Sequence, residues 1–174
     1  MRVGRILAGG LGALTSAFAV AYLAGAIAPT PEGRPGMKLA GAEVAEPVSD
    51  WSFSASDELV ELETRAPWGL AHSVTVVCAS PNGRDLYVPS VYLGGGGFPD
   101  ARLWNRNIVR DPNVRIRIAD EIYPLRASLV TDEVERASVF AAFAQKYPRW
   151  AEWHAQAPSE RPNIAFVRLD ARTD

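Results

Sequence analysis

The chain predicts a mainly β domain of the α+β kind, a small barrel behind an apolar N-terminal segment. Three observations lead there. Short segments alternating apolar and polar recur from Leu59 to Leu169, the period of half-buried strands. Helical periodicity is confined to stretches between them, as at the crossings of a small closed barrel, and no internal repeat is visible. Ahead of everything, no residue from Ile6 to Ala28 is charged.

That uncharged run has the length that spans a hydrocarbon core. Arg2 and Arg5 precede it, so the positive-inside rule puts the N-terminus in the cytoplasm and the rest of the chain outside. Residues 1–28 are therefore expected to form a single-pass transmembrane helix with an extracytoplasmic domain behind it. A cleaved signal peptide is the alternative, because Ala26-Ile-Ala28 imitates a small-x-small cleavage site. Pro29 in the first mature position, and the length of the run, favour the uncleaved anchor. Residues 29–49, with Pro31, Pro35 and Pro47 and no apolar period, read as a tether. Residues 50–174 form the globular domain, long enough for its own core.

Leu59 to Thr64 alternates and predicts the first strand. Arg65 to Ala71 holds Pro67 and Gly69, hence a turn. His72 to Ala79 is a second strand, closed by the hairpin signal Ser80-Pro-Asn-Gly83. Asp85 to Ser90 is a third, and Pro89 within it favours a sheet edge or bulge. A short helix from Arg102 to about Arg110 stops at Asp111-Pro112, because the residue before proline is pushed out of the α region. Strands follow over Val114–Ala119 and Ile122–Val130. Asp132 and Glu135 predict a capped helix start, with Val134, Ala137, Ala141 and Ala144 as the buried face of a helix running to about Tyr147. Asn163 to Leu169 is the last strand.

Composition narrows the function classes. Apolar residues make up 48% of the chain and the net charge is −2, so nothing points to nucleic acid, which needs a basic face. Arg115 and Arg117 share one strand face, predicted to be solvated or turned towards a ligand. The single cysteine, Cys78, sits in the apolar run Val74–Ala79 and is expected to behave as a small buried hydrophobe. No His/Cys/Asp spacing resembles a metal site. His72 and Ser73 are strand neighbours pointing to opposite faces, so they do not make a nucleophile–base pair.

Two constellations carry chemistry. The first is a strand ending at Ser90, a glycine loop at Gly94-Gly-Gly-Gly97, and a helix with Trp104 and Asn107 three residues apart on one face. Backbone amides of Gly95 and Gly96, with a serine hydroxyl, offer donors to an anion without side-chain bulk. The second is Lys146-Tyr-Pro-Arg-Trp-Ala-Glu-Trp-His154. Its aromatic residues Tyr147, Trp150 and Trp153 recur every three positions and would stack on one side, making either a ligand wall or core.

The order strand, Ser90, glycine loop, Trp104-x-x-Asn107, Asp111-Pro112, strand resembles the deazaflavin-dependent nitroreductase and quinone reductase family. These proteins are related to the FMN-binding pyridoxamine-phosphate oxidases. The resemblance covers about Leu59 to Leu169 and implies a split β-barrel. Carried over by position, it implies that Thr64, His72, Ser73, Ser90, Gly95, Gly96, Arg102, Trp104 and Asn107 surround the cofactor. It also implies that Tyr147, Trp150 and Trp153 line the acceptor site, with Tyr147 the one phenol able to donate a proton. The cofactor would be a deazaflavin, with FMN as competitor. The acceptor would be a quinone or nitro compound, and the family suggests a homodimer. One departure stands out. The family carries a lysine and an arginine in the turn after the first strand, where this chain reads Pro67-Trp-Gly-Leu-Ala-His72. That turn leaves a second reading open, a binding module that has kept the barrel and lost its cofactor.

Overall fold

A computed structural model of the chain describes residue 36 and residues 38–172. The expected anchor lies outside them, and no helix among the described residues is long and apolar enough to cross a membrane. The strands are β1 (Ala42–Glu43), β2 (Val60–Arg65), β3 (Ala71–Val76), β4 (Leu86–Tyr92), β5 (Asn113–Ile118), β6 (Glu121–Leu129) and β7 (Asn163–Ala171). Helix α1 (Leu103–Arg110) precedes β5, while α2 (Glu133–Lys146) and α3 (Pro148–Ala155) sit between β6 and β7. Apart from β1 and α3, these elements match those expected to within a few residues.

The sheet runs β3-β2-β5-β6-β7-β4, antiparallel throughout that path. It curls, so that inward residues of distant strands meet in one core: Leu62, Val88, Ile116, Leu125 and Val167, with Trp51 and Trp104. The expected closed barrel is not completed. Between β3 and β4, the two ends of the sheet, the described residues hold a single bridge at Ala79–Tyr87.

A second core forms outside β4 and β7, where Tyr87, Ile164 and Phe166 meet Val139, Phe140, Phe143 and Trp150. This corrects the expected helix face. Val134 is 79% exposed, Ala137 is exposed, and α2 buries Val139, Phe140 and Phe143 instead. Two phenylalanines bury far more apolar area than a row of alanines, and they set the rotation of the helix. The cap is as expected, with the Glu135 amide donating to Asp132 Oδ1 at 2.8 Å. The Glu135 carboxylate instead accepts from the Tyr87 hydroxyl at 3.0 Å and pairs with Arg168.

Gly36 and residues 38–43, expected as tether, form a strap across the outer side of the sheet. Gly36 N donates to Ser73 Oγ at 2.6 Å and Gly36 O accepts from Ser73 N at 2.9 Å. Leu39 N donates to Glu63, Ala40 O accepts from Arg117, and β1 then pairs in parallel with β6. Beneath the strap, register sets Glu61 opposite Arg117 and Glu63 opposite Arg115, and each pair forms an ion pair. Arg117 is thus enclosed, while Arg115, paired with Glu63, stays half-buried at the rim of a small cavity by the β2–β3 turn. The strap excludes water from a charge ladder whose opposite signs already neutralise each other.

Candidate functional site

The open side of the barrel supplies the site. Beyond the Ala79–Tyr87 bridge the edges of β3 and β4 part, leaving a groove of about 530 Å³. Ser73 to Val76 of β3, with Val77 just after it, form one side and Pro89 and Val91 of β4 the other, with Arg102, Trp104 and Trp150 completing the lining. Pro89 is on an edge strand, as its missing N–H demands.

Helix α1 stands at this groove because two buried asparagines stitch it to the sheet. Asn107 Nδ2 donates to Thr64 Oγ1 at 3.0 Å, and Thr64 in turn donates to the His72 carbonyl at 3.1 Å. Asn105 Nδ2 lies 2.8 Å from Ser90 Oγ and 2.5 Å from the Tyr92 hydroxyl. Arg102 donates to the Val91 carbonyl at 2.6 Å, with its guanidinium over the Tyr92 ring. Asn105 has no counterpart among the residues expected from sequence. Its signal was present: Ser90 and Tyr92 share one face of a strand that otherwise buries apolar residues there, so both hydroxyls needed a partner.

The expected site residues separate into two groups. Ser73, Arg102, Trp104 and Trp150 come together on the groove. The glycine loop follows β4. Gly95 (φ 89°) and Gly96 (φ 86°) hold conformations that favour glycine, and open space surrounds the Cβ positions of Gly94 and Gly95. Ser90 is not in the lining: it is 1% exposed and its hydroxyl is taken by Asn105. Thr64 and Asn107 are equally buried and hold the helix rather than a ligand. Burial pushes the His72 imidazole below its ordinary pKa, and its buried Nδ1 has no partner. A phosphate-binding cation at neutral pH is not what that environment makes.

Of the aromatic series, only Trp150 reaches the groove. It is 5% exposed and stacks on Phe143 at 4.6 Å, so it belongs to the core and to the site together. Trp153 packs edge-on against Trp150 under Arg149. Tyr147, expected as the proton donor, turns its hydroxyl to the backbone. Its hydroxyl lies 3.0 Å from the Cys78 carbonyl and 3.1 Å from that of Glu58, and burial raises its pKa well above a normal phenol. Cys78 is fully buried, as expected.

A second, smaller cavity of about 200 Å³ opens at the β2–β3 turn. Lys38, Arg65, Arg115 and Arg172 line it together with Glu63. Among the described residues no group of three His, Cys, Asp or Glu side chains could hold a metal.

The model of the F420H(2)-dependent quinone reductase family matches residues 69–168, which is more than half of the chain and includes β3, the glycine loop, α1 and the groove. The chain belongs to this family. Its cofactor is F420, a deazaflavin, and the family is one of oxidoreductases. Two solved structures share the fold. A conserved hypothetical protein from Mycobacterium tuberculosis is 17% identical at TM-score 0.53, covering 75% of this chain and 86% of its own. The heme storage protein HutZ from Vibrio cholerae is 15% identical at TM-score 0.50, covering 70% and 87%. An F420-H2 dependent reductase is 23% identical over 64% of this chain and 94% of its own, at TM-score 0.45. No curated protein matches the chain by sequence. The parted sheet with its helices matches a split-barrel α+β fold.

The groove suits a deazaflavin. Its volume is within the range of sites that bury small planar ligands. Trp104 and Trp150 give it aromatic surface, and the Ser73 to Val77 edge gives it polar backbone.

Proposed function

We propose that the chain is an F420-dependent reductase that passes a hydride to a quinone, with its folded domain tethered to a membrane by residues 6–28. The observation that carries this reading is the groove between the parted edges of β3 and β4, bounded by Trp104 and Trp150. Bound F420 supplies the hydride chemistry. The protein binds and orients: Trp150 presents an aromatic face where a flat acceptor can stack, and the open glycine backbone beside β4 admits a ligand closely. In place of the cations that family members carry in the β2–β3 turn, Lys38 from the strap, Arg65 and Arg172 stand around the second cavity. These positive groups favour the anionic end of the cofactor. The tether keeps the groove near lipid-soluble quinones.

The test uses the full chain in detergent or nanodiscs, titrated with F420 and separately with FMN while its tryptophan fluorescence is followed. F420 binding and quinone-dependent oxidation of F420H2 support the reading. Binding of FMN alone transfers the groove to a flavin. Binding of neither cofactor by folded protein establishes the second reading, a barrel without cofactor, which the lysine-free Pro67–His72 turn favours.

A further inference from the structure

We propose that the outer face of α1, with Leu93 beside the glycine loop, docks on an anionic lipid surface and turns the groove towards the bilayer. The inference rests on the membrane-tethered reading above. It adds the face of the domain that meets the lipid.

Helix α1 buries Trp104, Asn105, Asn107 and Ile108. Its other side shows Leu103 (41% exposed) and Val109 (60%), flanked by Arg106 and Arg110, with Leu93 (68%) close by. Leu93 is adjacent because Arg102, at the start of α1, is bonded to Val91 and lies over Tyr92. Among the described residues none of Arg102, Arg106 and Arg110 pairs with a carboxylate; they donate to the carbonyls of Val91, Asp100 and Arg65. The acidic neighbours are Asp100, which is exposed, and Asp111, which is paired with Arg65. Exposed apolar side chains interleaved with uncompensated guanidinium groups complement an anionic headgroup layer above acyl chains. A second protein surface of ordinary polarity offers neither match.

The place where the chain enters the fold agrees. Gly36 is bonded to Ser73, a residue of the groove that also contains Arg102 and Trp104. Residues 29–35 separate Gly36 from the uncharged run that ends at Ala28, a reach of about 25 Å at full extension. A membrane-embedded run therefore holds this side of the domain, with α1 and the glycine loop, within reach of the headgroups.

The full chain is reconstituted in phosphatidylcholine vesicles with and without phosphatidylglycerol, some containing nitroxide-headgroup lipid. A fluorophore is attached to Val109→Cys or, as control, to Val134→Cys on α2; native Cys78 is fully buried and stays unlabelled. The expected result is several-fold stronger nitroxide quenching at position 109 than at 134, in phosphatidylglycerol vesicles. High salt and Arg106→Glu should reverse it, because headgroup attraction is screened within a Debye length. Equal quenching at the two positions overturns the proposal, as does quenching at 109 that ignores lipid charge. Energy transfer between labelled copies in detergent also overturns it, giving the face to a second copy of the chain. No cofactor or acceptor is added, so failure of F420 binding or quinone reduction leaves this result unaffected.

Discussion

Asn105 Nδ2 lies 2.8 Å from the hydroxyl of Ser90, and both residues are buried, at 0% and 1% exposure. Helix α1 is thus fixed to β4 by a polar contact that water cannot replace. Replacing Asn105 with Ala should leave the hydroxyls of Ser90 and Tyr92 without their shared donor, at a cost of about 1–3 kcal/mol. Chemical denaturation should show the loss. Ser90→Asp, which places a charge at the same point, should be more damaging still. Wild-type stability in both variants would refute the stitch.

Trp150 serves the core and the groove together, so two substitutions should separate its duties. Trp150→Ala removes the ring stacked on Phe143 and should cost about 3–5 kcal/mol in stability. Trp150→Phe keeps an aromatic ring and should fold, while weakening acceptor binding more than F420 binding. Melting temperature, F420 titration and quinone kinetics on the same preparations decide the matter.

The Tyr147 hydroxyl is engaged with backbone carbonyls, so it should not serve as a proton donor. Tyr147→Phe is expected to lose about 1 kcal/mol of stability through the missing hydrogen bonds and to retain its turnover. Lys146 Nζ, 3.1 Å from the Cys78 carbonyl, still satisfies that oxygen. A large fall in kcat with an unchanged melting temperature would return the phenol to the chemistry.

His72 should make the fold acid-sensitive. Its folded pKa is depressed by burial, so below the ordinary histidine range the unfolded chain takes up a proton that the folded one resists. Stability is therefore full above about pH 6.5 and falls as pH drops towards the folded value. In His72→Gln the melting temperature should lose that part of its decline with acid. An unchanged pH profile would mean the imidazole is open to water.

For the N-terminal segment, a reporter fused after Asp174 should be active only outside the cytoplasm, given Arg2 and Arg5 ahead of the uncharged run. A cytoplasmic signal, or soluble protein released by a cut at Ala28, would refute the outward-facing anchor.

Local pattern carried most of the fold. Each main strand and helix follows from period, cap or proline, as Asp132 at α2 and Asp111-Pro112 after α1 illustrate. What pattern could not reach was long-range partnership. Arg115 and Arg117 look like a free basic face until register sets Glu63 and Glu61 across from them and the strap covers them. Ser90 looks like a ligand donor until Asn105 arrives from another element. Tyr147, Trp150 and Trp153 do lie on one side, but periodicity cannot say which of them meets a cavity and which meets Phe143 or a carbonyl.

The Ala79–Tyr87 bridge, with its two backbone hydrogen bonds of 3.1 and 2.9 Å, acts on the barrel as a rivet acts on a pair of shears. Past it the two edges share no ladder, so spreading them to admit a wider ring system breaks no strand pairing. Ring systems of different width can therefore be taken in by a change of angle at this joint. Amide exchange should report the same mechanics, slow at Tyr87, whose N–H is bonded to Ala79, and faster at Val91 on the free edge.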